Sequence, residues 1–459
     1  MLKMTLSDIA KAIDAQLLGE DISVEAVSTD TRQLQGGELF VALIGERFDA
    51  HDFIADASKA AALLVSRQVE SDQPQLLVKD TRLALGQLGH YLKARVAPLS
   101  AALTGSCGKT TVKEMLAAIL AHKGRVLATQ GNFNNDIGVP LTLLRLRGDE
   151  DYGVFELGAN HQGEIAYTVS LVEPDVALIN NVAPTHLAGF GTLEGIAQAK
   201  GEIYGGIKAG GTAVVNLDDD FAPQWLAQLK DQKVLTFGYA EGADITATDI
   251  QDQLEAGSRF TLGVGPKRLS VTMPLPGRHN VANAMAAAAC ALALGVELEV
   301  IADGLAQVQP VPGRLIFKSL GQRGRLIDDT YNASVGAVKA AIDTLVGFDG
   351  RRVLVLGDLG ELGEKAGYYH AELGRYAKAA GVDNLFTLGV LSQAATDAFG
   401  LGARHFDNKE GLVNSLVLAL ADESAEVSIL VKGARSSRME LVVQLIAASP
   451  LAAPQGAAC

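Results

Sequence analysis

Residues 99–124, LSAALTGSCGKTTVKEMLAAILAHKG, decide how this chain is read. They open with a short apolar run at 99–103, bounded by a glycine turn, which predicts a buried strand. Gly105 and Gly108 punctuate the turn, and from Lys109 onward the pattern is helical. Strand, glycine-rich turn and helix in that order are the setting of a phosphate-binding loop. Glycines let backbone N–H groups turn inward around phosphate oxygens, and the helix start adds its positive end. Lys109 can neutralise terminal phosphates, and the Thr110 hydroxyl can ligate Mg²⁺. Leu103 stands where the full GxxxxGK[ST] pattern has its first glycine, so only the GxxGK[ST] core is present. The competing reading is an ordinary glycine turn with an exposed lysine. The strand–turn–helix setting favours phosphate.

Working outward, the same alternation continues. YGVFEL, PDVALINNV and TAVVNL predict strands, each followed by a helical pattern, which implies right-handed crossovers and a mostly parallel sheet. Short strands follow from Val234 to Pro274, and then the Ala-rich helix HNVANAMAAAACALALG. A second open α/β sheet is predicted from GRLIDDTY, RRVLVLGDL, NLFTLG and VSILVKG. Before the phosphate loop, SVEAVSTDTR and GELFVALIG read as strands with Gly36-Gly37 as the turn between them. TRLALGQLGHYLKAR reads as a helix, and the first 20 residues as one amphipathic helix. The expected class is α/β with three domains: a small α/β domain at 1–98, a central P-loop-type domain at 99–311, and a Rossmann-like domain at 312–459.

Bulk properties narrow the function. The 459 residues carry a formal net charge of −14, against a nucleic-acid footprint. Cys107, Cys290 and Cys459 have neither disulfide-framework nor zinc spacing. No apolar run approaches the roughly 20 residues of a membrane span, and the N-terminus lacks signal-peptide character. A cytoplasmic enzyme, without membrane insertion, is expected.

Several polar residues fall at predicted strand ends, where open α/β sheets bind ligands. Glu156 ends one strand and His186 follows the next, so both could reach the Mg²⁺ of a nucleotide. Read alone, Glu156 could equally be a helix-cap partner and His186 a satisfied loop histidine, since Mg²⁺ prefers oxygen ligands. Lys200, in the helical stretch 192–208, reads alone as a surface lysine. In GNFNNDIGVP, Asn135 or Asp136 reads as a helix cap.

Together these segments resemble the Mur ligase family. TGSCGKTT is similar to its ATP-binding signature. ELGANHQGEI and NNVAPTHLAGFGTLEGIAQAKGEI resemble its central metal segments, and LPGRHNVANAMAAAA and PVPGRL its nucleotide-binding segments. The resemblance spans essentially the whole chain, in the family's order. VSTDTRQLQGGELFVALIGERFDAHDF, GNFNNDIGVP, IDDTYNASVGAVKAA and VLVLGDLGELG resemble the family member that adds D-alanyl-D-alanine. The Asp-Asn-Pro-Arg motif of the diaminopimelate-adding relative is absent. Val335-Gly336 stands where Pro-Asp is usual, and Cys107 where Ser or Asn is usual.

The resemblance implies an acid–amino-acid ligase for peptidoglycan synthesis. It would use ATP to join D-alanyl-D-alanine to UDP-N-acetylmuramoyl-tripeptide through an acyl phosphate. Lys109, Glu156, His186 and Lys200 would be catalytic. Gly105, Ser106, Cys107, Gly108, Lys109, Thr110, Thr111, Asn135, Asn283, Arg314 and Asp329 would hold ATP. Thr110, Glu156, His186 and a Lys200 carbamylated by CO₂ would ligate two Mg²⁺. Ser28, Thr31, Arg32 and His51 would meet the uridine nucleotide, and Asn332, Asp358 and Lys432 the dipeptide. A monomer that closes over its substrates is expected. The alternatives are a relative adding diaminopimelate or lysine, a folylpolyglutamate-type ligase, or a P-loop kinase.

Overall fold

The computed structural model describes residues 1–185 and 187–452. Three large sheets follow one another along the chain, beside a two-stranded antiparallel pair, Met4–Thr5 with Ser23–Val24. The first has five strands in the order Gln16–Leu18, Gln75–Leu77, Ala62–Val65, Glu38–Val41 and Ala26–Ser28. Only Gln16–Leu18 runs antiparallel to its neighbour.

Two expectations fail here. The N-terminal helix covers only Leu6–Ala12. The Thr5 hydroxyl caps its start, and Asp14 leaves the helical region at φ 50° so that the chain can enter the sheet. Gly36-Gly37 is not a hairpin turn, because Ala26–Ser28 and Glu38–Val41 are parallel. Parallel neighbours need a crossover, which here contains the 3₁₀ turn Thr31–Gln33 capped by Asp30.

Helix Thr81–Val96 then leads into the central sheet. Its Gly86 and Gly89 allow close approach: a Cβ at Gly89 would lie 3.2 Å from the Pro140 Cα. One apolar cluster accordingly runs from Leu6, Leu39 and Leu64 through Leu85 and Leu88 to Phe155 and Ile179. The N-terminal sheet and the central sheet share a core.

The central sheet has nine strands. Leu99–Thr104 lies in its interior, between Tyr152–Glu156 and Val176–Ile179, parallel to both. Thr212–Asn216 and Lys233–Phe237 continue the parallel order, and Ser258–Val264 and Lys267–Met273 close the far edge as antiparallel strands. Alternation along the strands supplies both faces: Ala102 and Phe155 point to the shared core, Ala101, Leu103 and Val154 to the other. The second face is covered by helices Lys109–Leu120 and Arg278–Ala293. In the latter, residues 284–291 are fully buried and six of the eight are alanine, so small side chains bring the helix close to the sheet.

The third sheet has six strands in the order Ile316–Ser319, Gly324–Asp329, Val427–Lys432, Arg351–Gly357, Asn384–Leu388 and Ala403–Phe406. All are parallel except the first. Val427–Lys432 inserts between strands that precede it in the chain, so Asp329, Lys432 and Gly357 end side by side at one carboxyl edge. Among the described residues, no helix is long and apolar enough to cross a membrane.

Candidate active site

The phosphate loop joins Leu99–Thr104 to helix Lys109–Leu120, whose N-terminus carries no side-chain cap. The first helical N–H groups therefore remain available to an anion. Gly108 has φ 78°, the left-handed region that glycine tolerates. A Cβ there would come within 2.4 Å of Asn283 Oδ1 and 2.5 Å of Asn180 Nδ2, so the position excludes a side chain by space as well as by torsion. Lys109 folds back, its Nζ donating to the Gly105 carbonyl at 2.6 Å. Burial pushes its pKa below the usual lysine range, opposed by the Glu156 carboxylate.

Strand Tyr152–Glu156 lies beside the loop's strand in parallel, which brings its last residue to the loop. The Thr110 hydroxyl donates to Glu156 Oε2 at 2.9 Å and accepts from Arg314 Nη2 at 3.1 Å. Asn134 Nδ2 donates to Glu156 Oε1 at 2.9 Å. Glu156 is 3% exposed. A hydroxyl and a carboxylate so placed are hard oxygen donors, suited to Mg²⁺ shared with phosphate oxygens. Among the described residues, no three His, Cys, Asp or Glu side chains form a metal-holding group. A cation here would depend on the nucleotide for further ligands.

The strand on the other side, Val176–Ile179, ends in Asn180 and Asn181. Asn180 Nδ2 donates to Cys107 O at 2.9 Å and to Asn283 Oδ1 at 3.0 Å. Asn283 Nδ2 in turn donates to Asn280 Oδ1 at 3.3 Å, linking the loop to helix Arg278–Ala293. Ser106 and Cys107 face inward on this network. The Ser106 hydroxyl bonds the Ala183 backbone, and the Cys107 N–H is taken by Asn181. Cys107 Sγ also meets Ser334 Oγ at 2.9 Å, a contact from the phosphate loop to the N-cap of helix Val335–Val346. Val335-Gly336 thus starts a capped helix in this chain.

Lys200 is only 2% exposed, on helix Leu193–Gly201. The solitary reading of it as a surface lysine was wrong: the Thr192 cap sets the helix phase that turns Lys200 inward. Burial, and secondarily the Lys109 ammonium, push its pKa well below the usual lysine range. His186 lies outside the described residues. Asn135 spends its side chain capping Gly138 N at 2.8 Å, while its neighbour Asn134 meets Glu156.

From the third sheet, Lys432 Nζ donates to Asp329 Oδ2 at 2.5 Å and to Asn332 O at 3.0 Å. Arg314 stacks over Tyr331, 4.6 Å from the ring centroid, as it reaches Thr110. Its neighbours Gly313 and Leu315 have φ 72° and 49°, so the segment joining the two sheets is sharply turned. Burial and then the Lys432 ammonium hold His279, at the start of the Arg278 helix, down at about 4, so its imidazole is neutral. Asp358 stands apart from the Asp329–Lys432 pair: its carboxylate accepts from Val390 N at 2.9 Å and Ser392 N at 2.8 Å. It lines a cavity of about 280 Å³ with Lys409, Ser436 and Ser437.

In the first sheet, Ser28 and Arg32 bond Asp30, and Thr31 begins the 3₁₀ turn. His51 is 5% exposed. Its Nε2 accepts from Ser66 N at 2.9 Å, so Nδ1 carries the proton and donates to Asp49 at 2.6 Å. Both ring nitrogens are spent on Asp49 and Ser66, which makes His51 a clamp between two segments and leaves it no nitrogen for a nucleotide.

Asn180, Asn181 and His279 were missed from sequence. Two adjacent asparagines closing the apolar strand beside a phosphate loop were the available signal.

An open parallel α/β sheet with a phosphate loop, met at that loop by residues of a second such sheet's region, defines a nucleotide-using enzyme. Residues 103–291 match the Mur ligase middle domain, and residues 313–435 the Mur ligase, glutamate ligase domain. The UDP-N-acetylmuramoyl-tripeptide–D-alanyl-D-alanine ligase of Escherichia coli K12 is 49% identical over 97% of this chain and 99% of its own length. A crystal structure of MurF from Acinetobacter baumannii superposes with a TM-score of 0.93 at 39% identity, covering 97% of this chain and 99% of that one. MurF ligase from Thermotoga maritima in complex with ADP gives 0.82 at 28% identity, over 92% and 97%. The chain belongs to the Mur ligase family.

Proposed function

We propose that this protein is the ATP-dependent ligase that joins D-alanyl-D-alanine to UDP-N-acetylmuramoyl-tripeptide in peptidoglycan synthesis. The uncapped helix start at Lys109, with Thr110 bonded to the buried Glu156, is the observation that carries the chemistry. Identity of 49% across nearly the whole of both chains with a relative of that name supports the substrate assignment. The reaction belongs in the cytoplasm, and the chain acts as a monomer.

Amide formation needs an activated acyl group. The tripeptide carboxylate attacks the γ-phosphate of ATP, giving an acyl phosphate and ADP. The dipeptide amine then attacks the acyl carbon, and phosphate leaves from the tetrahedral intermediate. Phosphoryl transfer of this kind rests on positioning and charge stabilisation. Backbone N–H groups at the helix start hold the phosphates, and Lys109, released from Gly105, balances their charge. Asn283, Arg314 and Asp329 hold the rest of the nucleotide, and Asn332, Asp358 and Lys432 line the dipeptide's side. Ser28, Thr31 and Arg32 face the uridine nucleotide.

Thr110 and Glu156 fit one Mg²⁺, and His186 with a carbamylated Lys200 would hold a second; these cations supply charge neutralisation on the transferring phosphoryl group. Burial supports the carbamate, because it favours the neutral Lys200 amine, the form that adds CO₂. Closure of the third domain over the loop would exclude water from the acyl phosphate.

Phosphate release should be measured with ATP, UDP-N-acetylmuramoyl-tripeptide and, in turn, D-alanyl-D-alanine, diaminopimelate and lysine. The proposal expects turnover with the dipeptide. Turnover only with a single amino acid would replace it.

A further inference from the structure

A phosphate loop usually turns most of its N–H groups toward the anion. Here two of them are occupied by one residue of the neighbouring strand end. Ser106 N donates to Asn181 O at 2.9 Å. Cys107 N donates to Asn181 Oδ1 at 2.8 Å, and Asn181 Nδ2 returns a bond to Cys107 O at 3.1 Å. The Asn181 amide thus grips both polar groups of a single loop residue. Asn180 adds a second donor to the same carbonyl.

The consequence is directional. With the Ser106 and Cys107 donors turned away, the anion is left with Gly108 and the first turn of the uncapped helix. Gly108 holds the chain in the left-handed region at that point, so the grip and the turn together set where the cradle begins.

We infer that Asn181 is a positioning residue for the nucleotide's phosphates: its side-chain amide orients the Cys107 peptide so that the cradle opens at Gly108. It acts through the loop and touches no reacting atom. This rests on the reading that nucleotide phosphates sit at this loop. It does not depend on which amine the enzyme accepts.

The test is ADP binding by calorimetry, with the melting temperature and the KM for each substrate. Asn181→Ala removes two hydrogen bonds of modest net strength, and ADP affinity should fall about tenfold. The KM for ATP should rise in parallel, while the KM values for the tripeptide nucleotide and the dipeptide hold. Asn181→Asp keeps the acceptor for Cys107 N–H but sets a carboxylate against the Cys107 carbonyl. It should fold as the parent does and lose more ADP affinity than the alanine variant. Parent-like ADP affinity in Asn181→Asp would overturn the inference. So would an equal rise of all three KM values with a lowered melting temperature, which marks a merely structural role. Failure of the unsubstituted protein to bind ADP would instead overturn the underlying placement of the nucleotide.

Discussion

Replacing Gly108 by alanine is the sharpest test of the loop geometry. The residue sits at φ 78°, where an L-residue costs about 1–2 kcal/mol. The added Cβ would also lie 2.4 Å from Asn283 Oδ1 and 2.5 Å from Asn180 Nδ2, two atoms that bond each other at 3.0 Å. Side-chain ends usually yield cheaply. These do not, because both asparagines are buried, at 3% and 6% exposure, and each holds a further bond. Parting them leaves buried amide groups unpaired, at about 1–3 kcal/mol. The sum is about 2–5 kcal/mol. The chain can avoid most of it by moving the loop, so the cost should surface in nucleotide binding. At about 1.4 kcal/mol per tenfold, ADP affinity should fall by about 30- to 4,000-fold, with the melting temperature changing little. Calorimetric titration with ADP measures this. A Gly108→Ala protein that binds ADP within threefold of the parent would refute both the torsional and the steric argument.

Three other outcomes are expected. Lys200→Ala should lose most activity and regain part of it with added small carboxylates; full activity without them would remove the carbamate role. Burial beside Lys208 holds Lys93 down at about 8. Between that value and the ordinary lysine pKa the unfolded chain binds more protons, so this group makes stability rise with pH across the window. Below it the buried ammonium is a standing cost, and Lys93→Met should raise the melting temperature at pH 7 by more than at pH 10. Equal shifts at both would count against it. Gly89→Ala places a Cβ 3.2 Å from the Pro140 Cα and should loosen the N-terminal sheet from the central one by about 1–3 kcal/mol. Faster limited proteolysis near residue 97 would report it.

Much of the architecture was legible because the strand segments are short apolar runs ended by polar residues, and the helices between them have their own period. YGVFEL, PDVALINNV, TAVVNL, RRVLVLGDL and VSILVKG all contain the strands they predicted. The first 20 residues misled because charge alternates there as in a helix, while a threonine cap and a left-handed aspartate confine the helix to seven residues. Within the site, the phosphate loop was readable because its chemistry is written in consecutive residues. Lys200 was not, since exposure depends on what packs over a helix face. Nor was the role of His51, whose two partners lie 2 and 15 residues away.

The amino-acid order alone determined the class of the sheets, the phosphate loop and the ligase family, because backbone propensity, glycine torsion and contiguous motifs are local properties. Tertiary structure alone decided that Glu156 and Asn181 flank that loop, that Arg314 reaches Thr110 from 204 residues away, and that Lys432 pairs with Asp329. Those pairings follow from strand order within a sheet and from the docking of one sheet's edge on another. No local pattern encodes them, because hydrogen bonds and ion pairs form between whichever groups packing brings within about 3 Å.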